Sequence, residues 1–140
     1  MLRTRGKRVI AEVTLPADLL TEQMGVRPQD LFQARQYSQV GGFMVGSANN
    51  GAHAANALAA LFIATGQDVA NIAESHAGIV YSQLLDSGDY YGSITLPALI
   101  VATVGGGTGL ATQRECLAML GCHGTGCVAR FAEICAAVVL

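Results

Sequence analysis

GAHAANALAALFIATGQD, residues 51–68, decides how the rest of the chain is read. Small residues fill almost every position until Leu61-Phe62-Ile63, and Gly41, Gly42 and Gly46 continue that texture upstream. Alanine favours helix, while each interior glycine costs about 1 kcal/mol relative to alanine. The composition predicts one long helix over residues 39–65, stopped by Gly66. A helix that is small on all sides lets its neighbours come very close. That suits a buried central helix, or one that holds backbone against a ligand.

Outward from that stretch, residues 8–15 (RVIAEVTL) alternate as a strand with Val9, Ala11 and Val13 on one face, and Pro16 stops it. Short helices are predicted over 18–24 and 28–36, the second with Pro28 at its start. Beyond Gly66, residues 68–76 begin another helix with Gln67 or Asp68 as cap. Strands over 78–85 and 90–96 flank the turn Asp86-Ser87-Gly88-Asp89, and Pro97 ends the second of them. Residues 99–104 form another apolar, β-branched run that enters Gly105-Gly106-Gly107-Thr108. Helices follow over 110–120, with Gly121 past the end, and over 128–140. The pattern is α+β, in one unit.

With 140 residues, 51% of them hydrophobic, the chain can bury one core and is far from disorder. Its 13% charged fraction is about half the usual quarter, so part of the surface is expected to lie against more chain or a second subunit. A net charge of −2 offers no field for nucleic acid or anionic lipid. The basic group Arg3, Arg5, Lys7 and Arg8 reads as a solvated strand entry. No run is long enough to span a membrane, and Ala11-Glu12-Val13 interrupts any signal-peptide core. The chain closes on Ala136-Ala137-Val138-Val139-Leu140, an apolar ending that reads as a cut one.

Candidate chemistry is sparse. A glycine run ahead of a helix is a place where backbone amides meet phosphate, but this spacing matches neither the Walker pattern nor the dinucleotide fingerprint. Asp68 is either a helix cap or a carboxylic acid poised for proton transfer. His53 and Asn56 lie one turn apart on the small-residue helix, and a lone histidine there is usually a satisfied core residue. Cys122, His123 and Cys127 lack the fourth ligand of a structural zinc site, and Cys116 and Cys135 read as helical core residues. No metal is expected. Without a secretory signal, the four cysteines read as reduced thiols of a cytoplasmic protein.

Three segments together resemble the hydroxymethylglutaryl-CoA (HMG-CoA) reductases: residues 51–56 (GAHAAN) followed by 62–68 (FIATGQD), residues 103–108 (TVGGGT), and residues 116–121 (CLAMLG). Their order and spacing carry the resemblance, together with the Arg5-Gly6-Lys7 entry to the first strand. It covers nearly the whole chain. It implies the C-terminal part of the catalytic large domain of the soluble bacterial branch, as a single partial domain over 1–140 without the small cofactor-binding domain.

The resemblance also implies an oxidoreductase that makes mevalonate, an isoprenoid precursor, from HMG-CoA with two NADPH (or NADH), in a homodimer or higher homo-oligomer. It maps the catalytic aspartate onto Asp68 and substrate binding onto Asn56 and His53. Val104, Gly105, Gly106, Gly107 and Thr108 fall on the turn beside the nicotinamide. The family's glutamate, lysine and DAMG cofactor motif precede this region and its histidine follows, so the chain alone is expected to be inactive. Tyr37-Ser38-Gln39-Val40 stands where many members have a lysine, Ala102 where the signature has glycine, and Ile72 where many have asparagine. The rival expectation is a non-catalytic remnant that dimerises or binds acyl-CoA.

Overall fold

A computed structural model describes residues 5–47 and 51–140. Of the features named above, Arg3 and positions 48–50 of the helix expected over 39–65 lie outside those residues. The described chain runs β1 (Lys7–Leu15), α1 (Ala17–Met24), α2 (Pro28–Met44), α3 (Ala54–Thr65), a 3-10 turn (Val69–Asn71), α4 (Ile72–Ser75), β2 (Ile79–Leu84), β3 (Tyr90–Leu99), a second 3-10 turn (Gly106–Gly109), α5 (Ala111–Met119) and α6 (Val128–Val139). This is an α+β arrangement.

The strands form one antiparallel sheet in the order β1-β3-β2. Pairs such as Val13↔Gly92 and Ile10↔Thr95 on one side, and Val80↔Ile94 on the other, set the register. The alternation read from residues 8–15 survives intact: Val9, Ala11 and Val13 face inward while Ile10, Glu12 and Thr14 are exposed. On β3, Tyr90, Gly92, Ile94 and Leu96 take the buried face.

The core lies between that face and α6, with α3 beside it. α6 buries Phe131, Ala132, Cys135, Ala136 and Val139, and α3 buries Ala54, Leu58, Phe62 and Thr65. These spacings each trace one helical stripe. Phe62 and Phe131 are fully buried and meet Ile94, Leu96, Leu99 and Leu117 in one cluster.

The single long helix over 39–65 resolves into two. Glycine is the reason. Gly46 turns left-handed at φ 76°, and Gly46 N and Ser47 N donate to the carbonyls of Phe43 and Gly42, closing α2. Ala52 is held at φ 51°, unusual for a residue with a side chain, before α3 starts at Ala54. The same closure ends α3 at Gly66, φ 69°, where Gln67 N donates to Phe62 O at 2.9 Å. α2 also outruns the expected 28–36 by eight residues, continuing to Met44.

Pro97 does not end β3, which continues to Leu99. Val9 pairs with Leu96 and Lys7 with Leu99, so three steps on β3 answer two on β1. Proline sits in the bulge, where a ladder donor is not needed. The apolar, β-branched run over 99–104 forms no strand of its own: β3 stops at Leu99, because β1 begins at Lys7 and offers no partner further on.

Cys122 and Cys135 are buried, whereas Cys116 and Cys127 are half-exposed, so Cys122 and not Cys116 joins Cys135 in the core. Burial pushes the Cys135 thiol up to about 12, and raises Cys122 for the same reason. Burial favours the neutral thiol, so the folded state keeps a proton that the unfolded state releases above the ordinary value of 9.0. This stability is whole below pH 9 and falls away as pH rises towards 12. The expected loss from Cys135 is about 1.4 kcal/mol per pH unit inside that window, read as a steeper decline of urea stability than in Cys135→Ala. At neutral pH, alkylation followed by mass spectrometry should label Cys116 and Cys127 first, with Cys122 and Cys135 labelled only on unfolding.

Candidate functional site

A cleft of about 650 Å³ opens between the C-terminal end of α3 and the glycine-rich turn before α5. Gly66, Gln67, Asp68 and Val69 line one side, and Ala102, Val104, Gly105, Gly106, Gly107 and Thr108 line the other. Two segments 35 residues apart in sequence, at Gln67 and Ala102, thus face each other.

Why they meet is a matter of missing side chains. Gly66 ends α3, and a Cβ built there would collide with Gly107 O. A Cβ on Gly107 would come 2.8 Å from Gly66 O. Both positions therefore require glycine for contact, and Gly66 requires it for its φ as well.

Asp68 caps the 3-10 turn Val69–Asn71, its Oδ1 accepting from Ala70 N at 3.0 Å. Its other oxygen bonds to no described residue, and the side chain is exposed at the cleft. The two readings of Asp68 are thus compatible: one oxygen fixes the turn and the other faces solvent or a ligand.

Gly105 and Gly106 have φ values of 85° and 56°, and a Cβ on either would meet nothing within 4 Å. Thr108 is buried and ties the turn to itself, its hydroxyl donating to Gly105 O at 2.7 Å. Val104 is 56% exposed. The turn presents backbone to open space, with no side chain in the way.

The segment 100–103 leading into the turn has no strand partner, and side chains replace one. Ile100 N donates to Ser75 Oγ at 3.0 Å, Lys7 Nζ to Val101 O at 3.3 Å, and Thr103 Oγ1 to Gly124 O at 2.6 Å. Gln67 makes two bonds to Ala102: Ala102 N donates to Oε1 at 2.8 Å, and Nε2 donates to Ala102 O at 2.9 Å. Sequence reading gave Gln67 no more than a capping option. The available signal was its place between an obligatory glycine and an acid.

The described structure does not bring the other site candidates here. His53 and Asn56 are exposed at the N-terminal end of α3 and do not line the cleft. About 14 Å of helical rise separates Asn56 from the end of α3 at Thr65, beyond which Asp68 lies. His53 precedes the helix, and its side chain makes no cap. Tyr37 is exposed on α2 and accepts from Gln33 Nε2 at 2.9 Å. No three His, Cys, Asp or Glu side chains come together among the described residues, and Cys127 Sγ instead lies 3.8 Å from the carbonyls of His123 and Thr125.

The family model for hydroxymethylglutaryl-coenzyme A reductase matches residues 1–140. The chain belongs to that family. It is 40% identical to the 3-hydroxy-3-methylglutaryl-coenzyme A reductase of Methanocaldococcus jannaschii, covering 100% of this chain and 35% of the relative. Against the enzyme of the same name from Pyrococcus abyssi, identity is 39% over 97% of this chain and 35% of the relative. Against that of Drosophila melanogaster it is 42% over 88% of this chain and 14% of the relative. The chain spans about a third of the length of its archaeal relatives. The residues that line the cleft all fall within the region that the family model matches.

Proposed function

We propose that the chain supplies one wall of the active site of a reductase that converts HMG-CoA to mevalonate, at the isoprenoid-precursor stage, with two NAD(P)H per thioester reduced. The observation that carries this reading is that Asp68 and the glycine turn share one cleft, although 34 residues separate Asp68 from Ala102 on its far wall.

The turn fits a flat nicotinamide ring. Its open Cβ positions at Gly105 and Gly106 let a planar group lie against backbone, with Val104 as apolar support. When bound there, the reduced nicotinamide supplies hydride. Asp68, by resemblance, stands next to a lysine ammonium from elsewhere in the enzyme. A carboxylate beside an ammonium holds it charged and directs its proton to the thioester oxygen as negative charge develops. Asn56 and His53 would act on the acyl substrate from the far end of α3, outside this cleft. Because the length of α3 separates them from Asp68 within one chain, they fit a site completed across a subunit boundary.

A homodimer or higher homo-oligomer also accounts for Val40, Phe43, Met44 and Val45, which are 59–83% exposed along the end of α2 and just beyond it. No helix among the described residues is long and apolar enough to cross a membrane. A cytoplasmic location, with residues 1–140 forming part of the catalytic large domain, completes the reading.

By itself the purified 140-residue chain should not oxidise reduced nicotinamide when given HMG-CoA, because by resemblance the family's catalytic glutamate, lysine and histidine fall outside residues 1–140. Loss of nicotinamide absorbance at 340 nm with mevalonate as product would contradict this. The same exposed apolar residues also favour a second reading, in which the chain only associates or holds acyl-CoA. Binding of HMG-CoA without any response to reduced nicotinamide would select it.

A further inference from the structure

We infer that Gln67 is a positioning residue that sets the separation between Asp68 and the glycine turn. The inference deepens the reductase reading and takes its functional meaning from it. Its geometry is independent of any ligand.

Ala102 lies in a segment with no strand neighbour, so its N–H and C=O would otherwise need water. A primary amide offers a donor and an acceptor on one planar group, and Gln67 uses both on this single residue at 2.9 and 2.8 Å. The side chain thereby imitates a strand partner. Nε2 also donates to Thr65 O at 3.2 Å, which ties the amide back to the end of α3. Asp68 is the next residue, and Gly105 follows Ala102 by three.

The Gly66–Gly107 contact presses the two walls together at one end of the cleft. The Gln67–Ala102 pair fastens them at a second point. Either alone would permit rotation of the turn against Asp68. Thr103 adds a third fixed point, bonded to Gly124 through both its hydroxyl and its carbonyl. The turn is thus held on both sides, while Gly105 and Gly106 between those points remain without Cβ contacts.

Gln67→Glu supplies a test that a purely structural role would not pass. Above the carboxyl pKa, a carboxylate accepts from Ala102 N but faces Ala102 O with no donor. Below about pH 4.3, the protonated acid regains one donor and one acceptor and reproduces the amide's pattern. Asp68 follows Gln67 directly and the Lys7 ammonium donates to Val101 O beside Ala102, so wild type is read at the same pH values.

In amide NMR of the 140-residue chain, Gln67→Glu should displace the resonances of Ala102 and residues 105–108 at pH 7 and restore them towards wild type at pH 4. Gln67→Leu should displace them at both pH values, with exchange of the Ala102 amide faster by about tenfold. Resonances of 105–108 that ignore both variants, or a Gln67→Glu displacement that acid does not reverse, would overturn the inference. A wild-type chain indifferent to reduced nicotinamide, beside a pH-reversible Gln67→Glu, would remove the nicotinamide-facing role proposed for the turn and leave the role of Gln67 standing.

Discussion

Gly66→Ala is expected to lower the unfolding free energy by about 2–4 kcal/mol, combining a left-handed residue that gains a Cβ with overpacking against rigid backbone. The new methyl group would enter the space of Gly107 O, which belongs to the opposing turn and cannot swing aside as a flexible side chain would. Relief requires α3 and the turn to part, so the cleft should open as stability falls. Gly105→Ala is the control. It shares the left-handed backbone, at φ 85°, but its Cβ would meet nothing within 4 Å. Its expected cost is about 1 kcal/mol, from backbone conformation alone. Urea denaturation of both variants gives the comparison. Equal losses would mean that the Gly66–Gly107 approach places no steric demand on the fold.

Phe131→Ala should cost about 3–5 kcal/mol, the range for emptying a buried aromatic site. Phe131 is fully buried on the stripe of α6 that covers the sheet, among Leu96, Leu99, Leu117 and Phe62. A domain of this kind has only about 5–15 kcal/mol to lose, so the variant should be partly unfolded at room temperature. Phe43→Ala makes the contrast. Phe43 is 69% exposed on α2, and its removal should change monomer stability by no more than about 0.5 kcal/mol. If Phe43 lies in a subunit interface, the same substitution should instead weaken association, visible as a shift in sedimentation velocity.

Much of this architecture was legible because the local signals were strong. The alternation of residues 8–15, the Asp86–Asp89 turn and the helix over 128–140 were read from local pattern, and each stands in the structure. Gly66 and Gly121 were read as stops and are left-handed ends of α3 and α5. The errors share a cause. A small-residue run says helix by propensity, but propensity does not say whether Gly46 will continue the helix or close it. Residues 100–104 have strand-like composition, yet a strand exists only if another chain segment is there to pair with it. Pro97 was taken as a stop because the bulge that tolerates it depends on the register with β1.

The site was legible to a lesser degree. Asp68 and Gly105–Thr108 were singled out by resemblance, and the structure lines one cleft with them. No sequence period announces that Gly66 touches Gly107 or that Gln67 spans to Ala102, since both contacts are long-range and depend on the path of the unpaired segment. His53 and Asn56 lie close to Asp68 in sequence, but a straight helix carries them to its other end.

The central claim is that Asp68 and the glycine turn form one nicotinamide-facing wall. Its most direct test is a titration of the isotopically labelled chain with NADPH, followed by amide NMR. The account predicts shifts concentrated at Asp68, Val69 and Val104 to Thr108, with His53 and Asn56 unmoved. Shifts spread elsewhere, or a spectrum unchanged at saturating NADPH, would contradict it.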